Sequence, residues 1–291
     1  MMPSASAAPA EATNARLAPQ DGDLYEALGA CLAASSVEDK LAAVDALADA
    51  FALGLLTTPA VPPAPPPIGL PGRPARPLLV APREVAQRGL GTADGRAALL
   101  HAVAHIEFNA IDLALDAAFR FRDMPDEFRA DWISVAVDET RHFRLLAARL
   151  GELGMAYGDL PAHAGLWEMA QKTAHDPLAR MALVPRVLEA RGLDVTPGMI
   201  ARLRQQGDSA SVAVLEVILD EEVRHVAIGS RWFAWCCARA GCEPAATFLA
   251  LVAESRGALR GPFNLAARRA AGFDDAELSA LAAHAAREGK A

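Results

Sequence analysis

Apolar side chains recur every three or four residues through most of the chain, the spacing that places them on one face of an α-helix. The pattern predicts four long core helices, each beginning near a residue suited to a helix start. No strand-length alternation bounded by turn residues occurs, so we expect an all-α fold with almost no sheet. The core helices are predicted at about 92–121, 125–154, 176–191 and 208–239.

Shorter helices are predicted on both sides of this core. Two amphipathic helices are expected between Asp21 and Leu56, with Asp23 capping the first and Ser35 or Ser36 starting the second. Further short helices are expected at 165–174, at 196–206 behind a Thr-Pro cap, at 242–260 and at 274–287. The last of these is predicted to pack on the outside of the bundle or on a partner subunit, which leaves a homodimer open.

The same pattern divides the chain into five parts. Their composition shifts from Ala, Ser and Pro at the start, through a Pro-rich connector, to the periodic core. They are a disordered tail at 1–19, a helical hairpin at 20–56, a Pro-rich strap at 57–90, a four-helix core at 91–242 and C-terminal accessory helices at 243–291.

The Pro-rich connector cannot be helical, because proline lacks the amide hydrogen and fixes φ. Such a run favours polyproline II. It is either a free linker or an extended strap over the bundle, and the apolar residues along it favour the strap. Its predicted contacts with the bundle are Ile68, Leu70, Leu78, Leu79 and Val80.

Pro185 falls inside the third core helix, four residues before Glu189. It removes one backbone hydrogen bond, so the helix is expected to kink there. The kink either opens room beside Glu189 for oxygen or substrate or serves packing alone, and the sequence favours neither.

Four short segments on the core helices carry acidic residues at matched spacings. The first and third supply one glutamate each, and the second and fourth supply Glu-x-x-His, in which residues three apart share a helix face. Most of these glutamates interrupt apolar stripes, where a carboxylate is costly unless it is paired or binds metal. The candidate ligands are Glu107, Glu139, His142, Glu189, Glu222 and His225.

This set matches a carboxylate-bridged two-metal site in a helix bundle, where two helices give Glu and two give Glu-x-x-His. Oxygen and nitrogen ligands without thiolate suit iron or manganese. We therefore expect two Fe ions, with Mn or a mixed Fe/Mn pair as alternatives. Asp138 is expected to hold His225 across the bundle and Glu221 to hold His142, because metal-bound imidazole usually donates to a carboxylate.

The alternative interpretation is that each acid is a solvated helix-surface residue, which is the usual role of a single Glu-x-x-His. Two repeats at near-equal spacing on apolar faces favour the metal site. His101 and His105 are interpreted as hydrogen-bonded structural histidines and are left out of the ligand set. The aromatic residues predicted either to line a cavity or to fill the core are Phe108, Trp132, Phe143 and Trp167.

At these residues the chain resembles the ferritin-like superfamily of di-iron carboxylate proteins, and more closely an uncharacterised bacterial family within it (domain of unknown function four-five-five). The resemblance covers about residues 70–250. It implies a four-helix core and chemistry with oxygen or peroxide, and it implies no agreed substrate. The segments that carry it are Pro71–Pro74, His101–Glu107, Asp138–Phe143, Pro161–His163, Val187–Asp194 and Glu222–Gly229.

Composition and charge narrow the remaining classes. Apolar residues make up 53% and aromatic residues 5% of the chain, and abundant Ala and Leu favour helix. The net charge of −8 argues against a broad nucleic-acid-binding surface, although a local basic patch at Arg120, Arg122 and Arg129 stays open. No apolar run reaches the length of a membrane span, so no membrane partner is expected.

The cysteines and the N-terminus predict a cytoplasmic protein. No basic segment followed by an apolar core occurs at the start, so no signal peptide is expected. The four cysteines lack the spacing of a zinc site and fit a reducing compartment as small apolar residues. They are Cys31, Cys236, Cys237 and Cys242.

Three function classes follow from the predicted site. The first is a di-iron oxidase or monooxygenase that hydroxylates or oxidises a small organic substrate with O2 or peroxide and takes electrons from an external donor. The second is a ferroxidase or iron-handling protein, and the third is a non-catalytic helical scaffold that its metal stabilises. The Pro-rich strap and extra helices count against the single short bundle of a ferritin cage.

Overall fold

The computed structural model describes residues 22–86, 88–255 and 261–288. Within them the fold is all-α, as predicted, with one two-stranded exception. The predicted tail at 1–19 lies outside the described residues. In chain order the elements are β1 (Gly22–Asp23), α1 (Leu24–Ala33), α2 (Val37–Ala52), β2 (Leu56–Thr57), a 3-10 turn (Pro82–Glu84), α3 (Ala93–Arg120), α4 (Asp126–Glu152), α5 (Gly165–Lys172), α6 (Pro177–Leu183), a π segment (Val184–Glu189), α7 (Ala190–Gln205), α8 (Ser209–Ala240), α9 (Pro244–Glu254), α10 (Leu265–Ala270) and α11 (Asp275–Glu288).

Four helical segments form the central bundle: α3, α4, α8 and the continuous run of α6, the π segment and α7. Helix α3 packs along α4, α4 packs on α8, and α8 packs on the composite run. Their facing sides are apolar at helical spacing, which is why these helices bury one stripe against their neighbours. Fully buried side chains between them include Leu100, Ile111, Leu146, Leu215 and Val226.

The composite third helix departs from the sequence-based prediction. Asp176 caps its start as expected, accepting from the amides of Leu178 and Ala179. The prediction of a separate short helix starting at Thr196–Pro197 is wrong, because α7 runs through Pro197 without a break. Proline cannot donate to the carbonyl four residues back, that of Leu193. The side-chain amide of Asn264 donates to that carbonyl instead, at 3.2 Å.

The kink expected at Pro185 takes the form of the π segment. A π turn is wider than an α turn and relaxes the clash between the proline ring and the preceding backbone. The ring of Pro185 lies against Gly229 of α8, where a β-carbon would collide with it. Gly229 therefore permits the close approach of the π segment to α8.

The N-terminal hairpin packs on the bundle through α1 against α3 and α2 against α4. Asp23 and Ser36 cap its helices as predicted, and parallel pairing of β1 with β2 closes it. Its firmest connection is an ion pair between Lys40 and Asp112, whose Nζ and Oδ1 are 2.5 Å apart and whose side chains are almost fully buried.

The Pro-rich segment is an extended strap on the bundle, as predicted. The amide of Gly72 donates to the carbonyl of Leu32 at 2.7 Å, and the Trp167 indole donates to the Gly69 carbonyl at 2.8 Å. Val80 and Ala162 are joined by a backbone hydrogen bond of 2.8 Å. Two predicted apolar contacts are wrong, because Leu70 and Leu78 are 60% and 66% exposed.

The C-terminal helices form a layer beside the composite helix. Helix α9 packs on α6 and α8, and α11 packs on α9, so the outer packing predicted for the last helix is present. The helix predicted at 242–260 starts at Pro244 and ends at Glu254, and residues 256–260 lie outside the described part. Helix α10 is not predicted by the apolar spacing, since it has only six residues.

One described helix, α3, is long and apolar enough to cross a membrane by length and composition alone. The share of its apolar window that is buried inside the bundle is 72%. Helices α8 and α9 meet the same criterion only as a joined pair, and that pair is bent by 105° at its break. Burial between neighbouring helices accounts for the apolar character of α3.

Candidate metal centre

Four of the predicted side chains meet in the middle of the bundle. Glu107 comes from α3 and Glu222 from α8. Glu139 and His142, one turn apart, both come from α4. One ligand atom of each lies within 4.8 Å of one ligand atom of every other. This group of buried carboxylates and imidazole could hold a metal ion.

Glu139 lies between the two predicted imidazoles. Its Oε1 is 2.9 Å from Nδ1 of His225, and its Oε2 is 3.4 Å from Nδ1 of His142. The Glu139 side chain is buried, and the two imidazole ring centres are 5.6 Å apart. A carboxylate so placed is suited to bridging two cations that each bind one imidazole.

Glu222 and Glu107 complete the contacts around the imidazoles. Oε1 of Glu222 is 3.6 Å from Nδ1 of His225 and 4.0 Å from Nδ1 of His142. Oε2 of Glu107 is 3.3 Å from Nδ1 of His142. His225 thus adjoins the group of four through two of its carboxylates, and the Nδ1 atoms of both imidazoles face inward.

Glu189 is the least closely joined of the six predicted ligands. It is the last residue of the π segment, and it lines one cavity together with Glu107, Glu139 and Glu222. Burial, followed by the charges of Glu222 and Glu139, raises the pKa of Glu189 to about 8. The structure brings Glu189 to the rim of the centre rather than into the group of four.

The outer nitrogens of both imidazoles are held by acids from the opposite helix. Nε2 of His142 on α4 is 2.7 Å from Oε2 of Glu221 on α8. Nε2 of His225 on α8 is 3.1 Å from Oδ2 of Asp138 on α4. These contacts turn Nδ1 of each ring toward the carboxylates, which is the usual arrangement around metal-bound histidine.

Two arginines, which the sequence analysis did not single out, support these acids. Arg141 donates to Asp138 at 3.3 Å and also to Glu221, and Arg224 donates to Asp138. Each arginine directly precedes its histidine. The signal that could have revealed them is this shared position in two segments of the same form, acid-Glu-x-Arg-His.

Burial and the charges of neighbouring groups shift the pKa values of the metal-free centre. Burial and the charge of Glu139 raise the pKa of Glu107 well above its ordinary value. Burial alone would lower the pKa of His142, but the hydrogen bond to Glu107 and the nearby carboxylate of Glu139 raise it to about 11. Burial alone would raise the pKa of Glu139, but the charge of His225 and the close contacts with both imidazoles lower it overall. The raised pKa of His142 favours its protonated form, whose positive charge partly offsets the charge of the carboxylates in the absence of cations.

Unsatisfied polar atoms indicate that this centre could hold a cation. Both carboxylate oxygens of Glu139, Oε2 of Glu189 and Nδ1 of His225 are buried and have no hydrogen-bond partner among the described residues. Buried polar groups are normally paired, so unpaired ones require an explanation such as an ion. The donor set consists of oxygen and nitrogen atoms, which suits iron or manganese.

A cavity of about 290 Å³ adjoins the centre. Glu107, Glu139, Glu189 and Glu222 line it, and most of the rest of its wall is apolar. Its apolar walls come from α3, the π segment, α7 and α8, with Leu166 of α5. The kinked helix thus borders open space beside Glu189, which is one of the two roles that the sequence left open for Pro185.

The aromatic residues predicted for the cavity wall do not line this cavity. Trp132 and Phe143 are core side chains, and Phe108 and Trp167 border a separate, smaller pocket under the strap. The helical spacing of these aromatic residues predicts that they are buried, but it does not show which of them face the cavity beside the candidate metal centre.

His101 and His105 have structural roles, as predicted. Nε2 of His101 accepts from the amide of Gly158 at 3.0 Å. Nδ1 of His105 is 2.9 Å from the Tyr157 hydroxyl.

The basic residues Arg120 and Arg129 pair with Asp116 and Asp126, and Arg122 lies over the ring of Tyr25. They do not form an unpaired basic patch.

Comparisons with known proteins place the chain among relatives without an assigned activity. A family described as "Protein of unknown function (DUF455)" matches residues 33–279. An uncharacterized protein of Haemophilus influenzae is 49% identical over 213 residues, which cover 70% of this chain and 74% of the relative. No solved structure matches the chain.

Proposed function

The chain belongs to the DUF455 family of proteins of unknown function, and we propose that it is a ferritin-like di-iron oxidoreductase that uses O2 or peroxide to hydroxylate or oxidise a small organic molecule. In this proposal the ligands are the six predicted residues, and Mn or a mixed Fe/Mn pair are alternatives to two Fe ions. The reaction takes electrons from an external donor, and the protein acts in the cytoplasm.

The observation that carries the proposal is the position of Glu139 between two imidazoles that are each held by an acid from the opposite helix. A scaffold that needed only burial would fill this space with apolar residues at lower cost. The Glu-x-x-His pairs of α4 and α8 instead bring unpaired ligand atoms together inside the bundle.

Bound iron would supply Lewis acidity and redox equivalents for the oxidation. The protein's residues supply the rest. Glu139 and Glu222 lie where each can face two cations, and Glu107 and Glu189 lie where each can bind one. Asp138 and Glu221 fix the orientation of the imidazoles, and the surrounding apolar side chains keep bulk water from the carboxylates.

The adjoining cavity favours an organic substrate over iron storage. A ferroxidase needs a path for iron ions, which acidic or neutral polar side chains would line. The cavity beside the centre instead has mainly apolar walls. We therefore place the ferroxidase and the metal-stabilised scaffold second and third among the functions of this centre.

Metal content and spectra after anaerobic loading with Fe(II) test the proposal. We expect about two irons per chain, and a change in absorption on exposure to O2 that stops after one turnover without a reductant. Continued consumption of added Fe(II) would indicate a ferroxidase. Iron that binds and raises the melting temperature without reacting with O2 would indicate a scaffold.

A further inference from the structure

The cavity beside the carboxylates has the form of a binding site for a small molecule. The four glutamates occupy part of its wall, and neither His142 nor His225 lines it. A molecule in the cavity would therefore face the carboxylate side of the centre. The exposed side chain of Ile106, 47% accessible, lies on the same lining and marks where the cavity approaches the surface.

The chemistry of the wall limits what can bind there. Besides the four glutamates, the lining side chains with polar groups in the described part of the chain are His163, Arg191 and Thr196. A polar substituent buried against the remaining wall would lose its hydrogen bonds to water without replacement, which is unfavourable. The body of the ligand must accordingly be hydrocarbon. The apolar lining residues are Val103, Ala110, Leu113, Val187, Leu215 and Ile218, among others.

The volume limits the size of the ligand. The cavity measures about 290 Å³, at the lower end of the range for small-molecule sites, about 300–1,000 Å³. At about 30 Å³ for each water-sized group, it holds roughly ten non-hydrogen atoms. A bicyclic aromatic or a medium-length alkyl chain has this size, whereas a long-chain lipid does not.

We propose that this cavity binds a small, largely hydrocarbon molecule of about ten non-hydrogen atoms, with no more than one small polar group, beside the carboxylates. The identification of this molecule as a substrate rests on the proposed oxidation. Its binding depends on the cavity alone and does not require metal.

Gly192 allows the cavity to be filled without disturbing its walls. It lines the cavity from α7, and a β-carbon added there meets no atom within 4 Å. The substitution Gly192→Leu would place four carbons in the open space, and leucine is also the better helix former. Gly198 is the matched control, since it lies on α7, is exposed, has equally open space around a β-carbon and does not line the cavity.

The probe is 1-fluoronaphthalene, observed by fluorine NMR with the metal-free full-length chain. We expect saturable binding to the unsubstituted protein and to the Gly198→Leu variant, and at least tenfold weaker binding to the Gly192→Leu variant. An excess of hexadecanoate, which is too long for the cavity, should not displace the probe. Thermal melting of all three proteins checks that both variants fold.

Two results would overturn the inference: no saturable binding to the unsubstituted chain, or equal binding to the Gly192→Leu variant. Iron content of the same preparations, measured after separate anaerobic loading with Fe(II), separates this test from the proposed function. A chain that binds the probe but no iron would contradict the oxidation and keep the cavity assignment. A chain that binds two irons and no probe would contradict the cavity assignment and keep the proposed oxidation.

Discussion

The guanidinium of Arg186 lies 2.7 Å from the carboxylate of Glu277 and joins the last helix to the π segment. The Arg186 side chain is 2% exposed. It also lies over the rings of Phe233, Phe248 and Phe273, at 4.7, 4.5 and 4.3 Å. The C-terminal layer therefore holds the backbone three residues before Glu189.

Replacing Arg186 with Met should destabilise the protein by about 3–5 kcal/mol, because the buried Glu277 carboxylate loses its partner. Iron content should also fall, since the π segment that carries Glu189 loses its support. Urea unfolding of the metal-free protein measures the first effect and metal analysis the second. Arg269→Met, at an exposed pair with Asp275, is the control and should cost less than about 1 kcal/mol.

Replacing Gly229 with Ala should cost about 1–3 kcal/mol, because the added methyl group collides with the ring of Pro185 and the helices must separate. Helix propensity alone predicts the opposite sign. Gly151 near the end of α4 is the control, since a β-carbon there meets no neighbour. Gly151→Ala should stabilise by about 0.5–1 kcal/mol in the same unfolding measurement. A stabilising Gly229→Ala would contradict the close contact.

Alanine at Glu107, Glu139 or His225 should abolish stoichiometric iron binding, because each change removes a proposed ligand. Alanine at Glu221 should weaken iron binding by about 10–100-fold instead, since it leaves the ligand set intact and frees the His142 ring. Calorimetric titration with Fe(II) under anaerobic conditions compares them. A larger loss at Glu221 than at Glu222 would mean that the assigned helix register is off by one residue.

The stability of the metal-free protein should fall as pH rises from about 5 to 8. Glu189 has its pKa raised from 4.5 to about 8, so in this window the folded state holds a proton that the unfolded state has lost. The stabilisation that the raised pKa of Glu189 gives to the folded state is fully present below pH 4.5 and is lost as the pH rises through about 8. Glu189→Gln should reduce the pH slope by about 1 kcal/mol per pH unit. Unfolding curves at several pH values check this, and an unchanged slope would contradict it.

Iron affinity should show the opposite pH dependence, because a proton must leave Glu189 before its carboxylate can bind a cation. Competition with a chelator of known pH dependence measures the trend between pH 6 and 8. Asp45 offers a control, since it is an exposed acid on α2 in an ion pair with Arg144 and is not among the proposed ligands. Asp45→Asn should leave the trend as in the unsubstituted protein.

The parts of the fold that depend on neighbouring residues could be predicted from the sequence. The predicted helix starts agree with the structure because a cap is made by one side chain and the backbone amides two or three residues later. The capping residues are Asp23, Ser36, Thr92, Asp176 and Asp208. Local spacing also places the glutamate and the histidine of each Glu-x-x-His pair on one helix face.

The features that depend on distant residues could not be predicted. Helix α7 continues through Pro197 because Asn264, far along the chain, supplies the missing donor. The π segment depends on the absence of a side chain at Gly229. Leu70 and Leu78 are apolar yet exposed, because the strap is held by backbone hydrogen bonds as well as by its side chains.

The contacts of the two imidazoles give the centre two unlike sides. The side chains of Asp138 and Glu221 are 21% and 29% exposed. Each therefore connects one imidazole, that of His225 or His142, to bulk water through a single hydrogen bond. The glutamates instead face the hydrocarbon-lined space beside α3 and α7. If the centre carries out the proposed oxidation, protons and electrons would reach it at the imidazole face while a hydrocarbon molecule occupies the cavity at the glutamate face, so the two routes would not overlap.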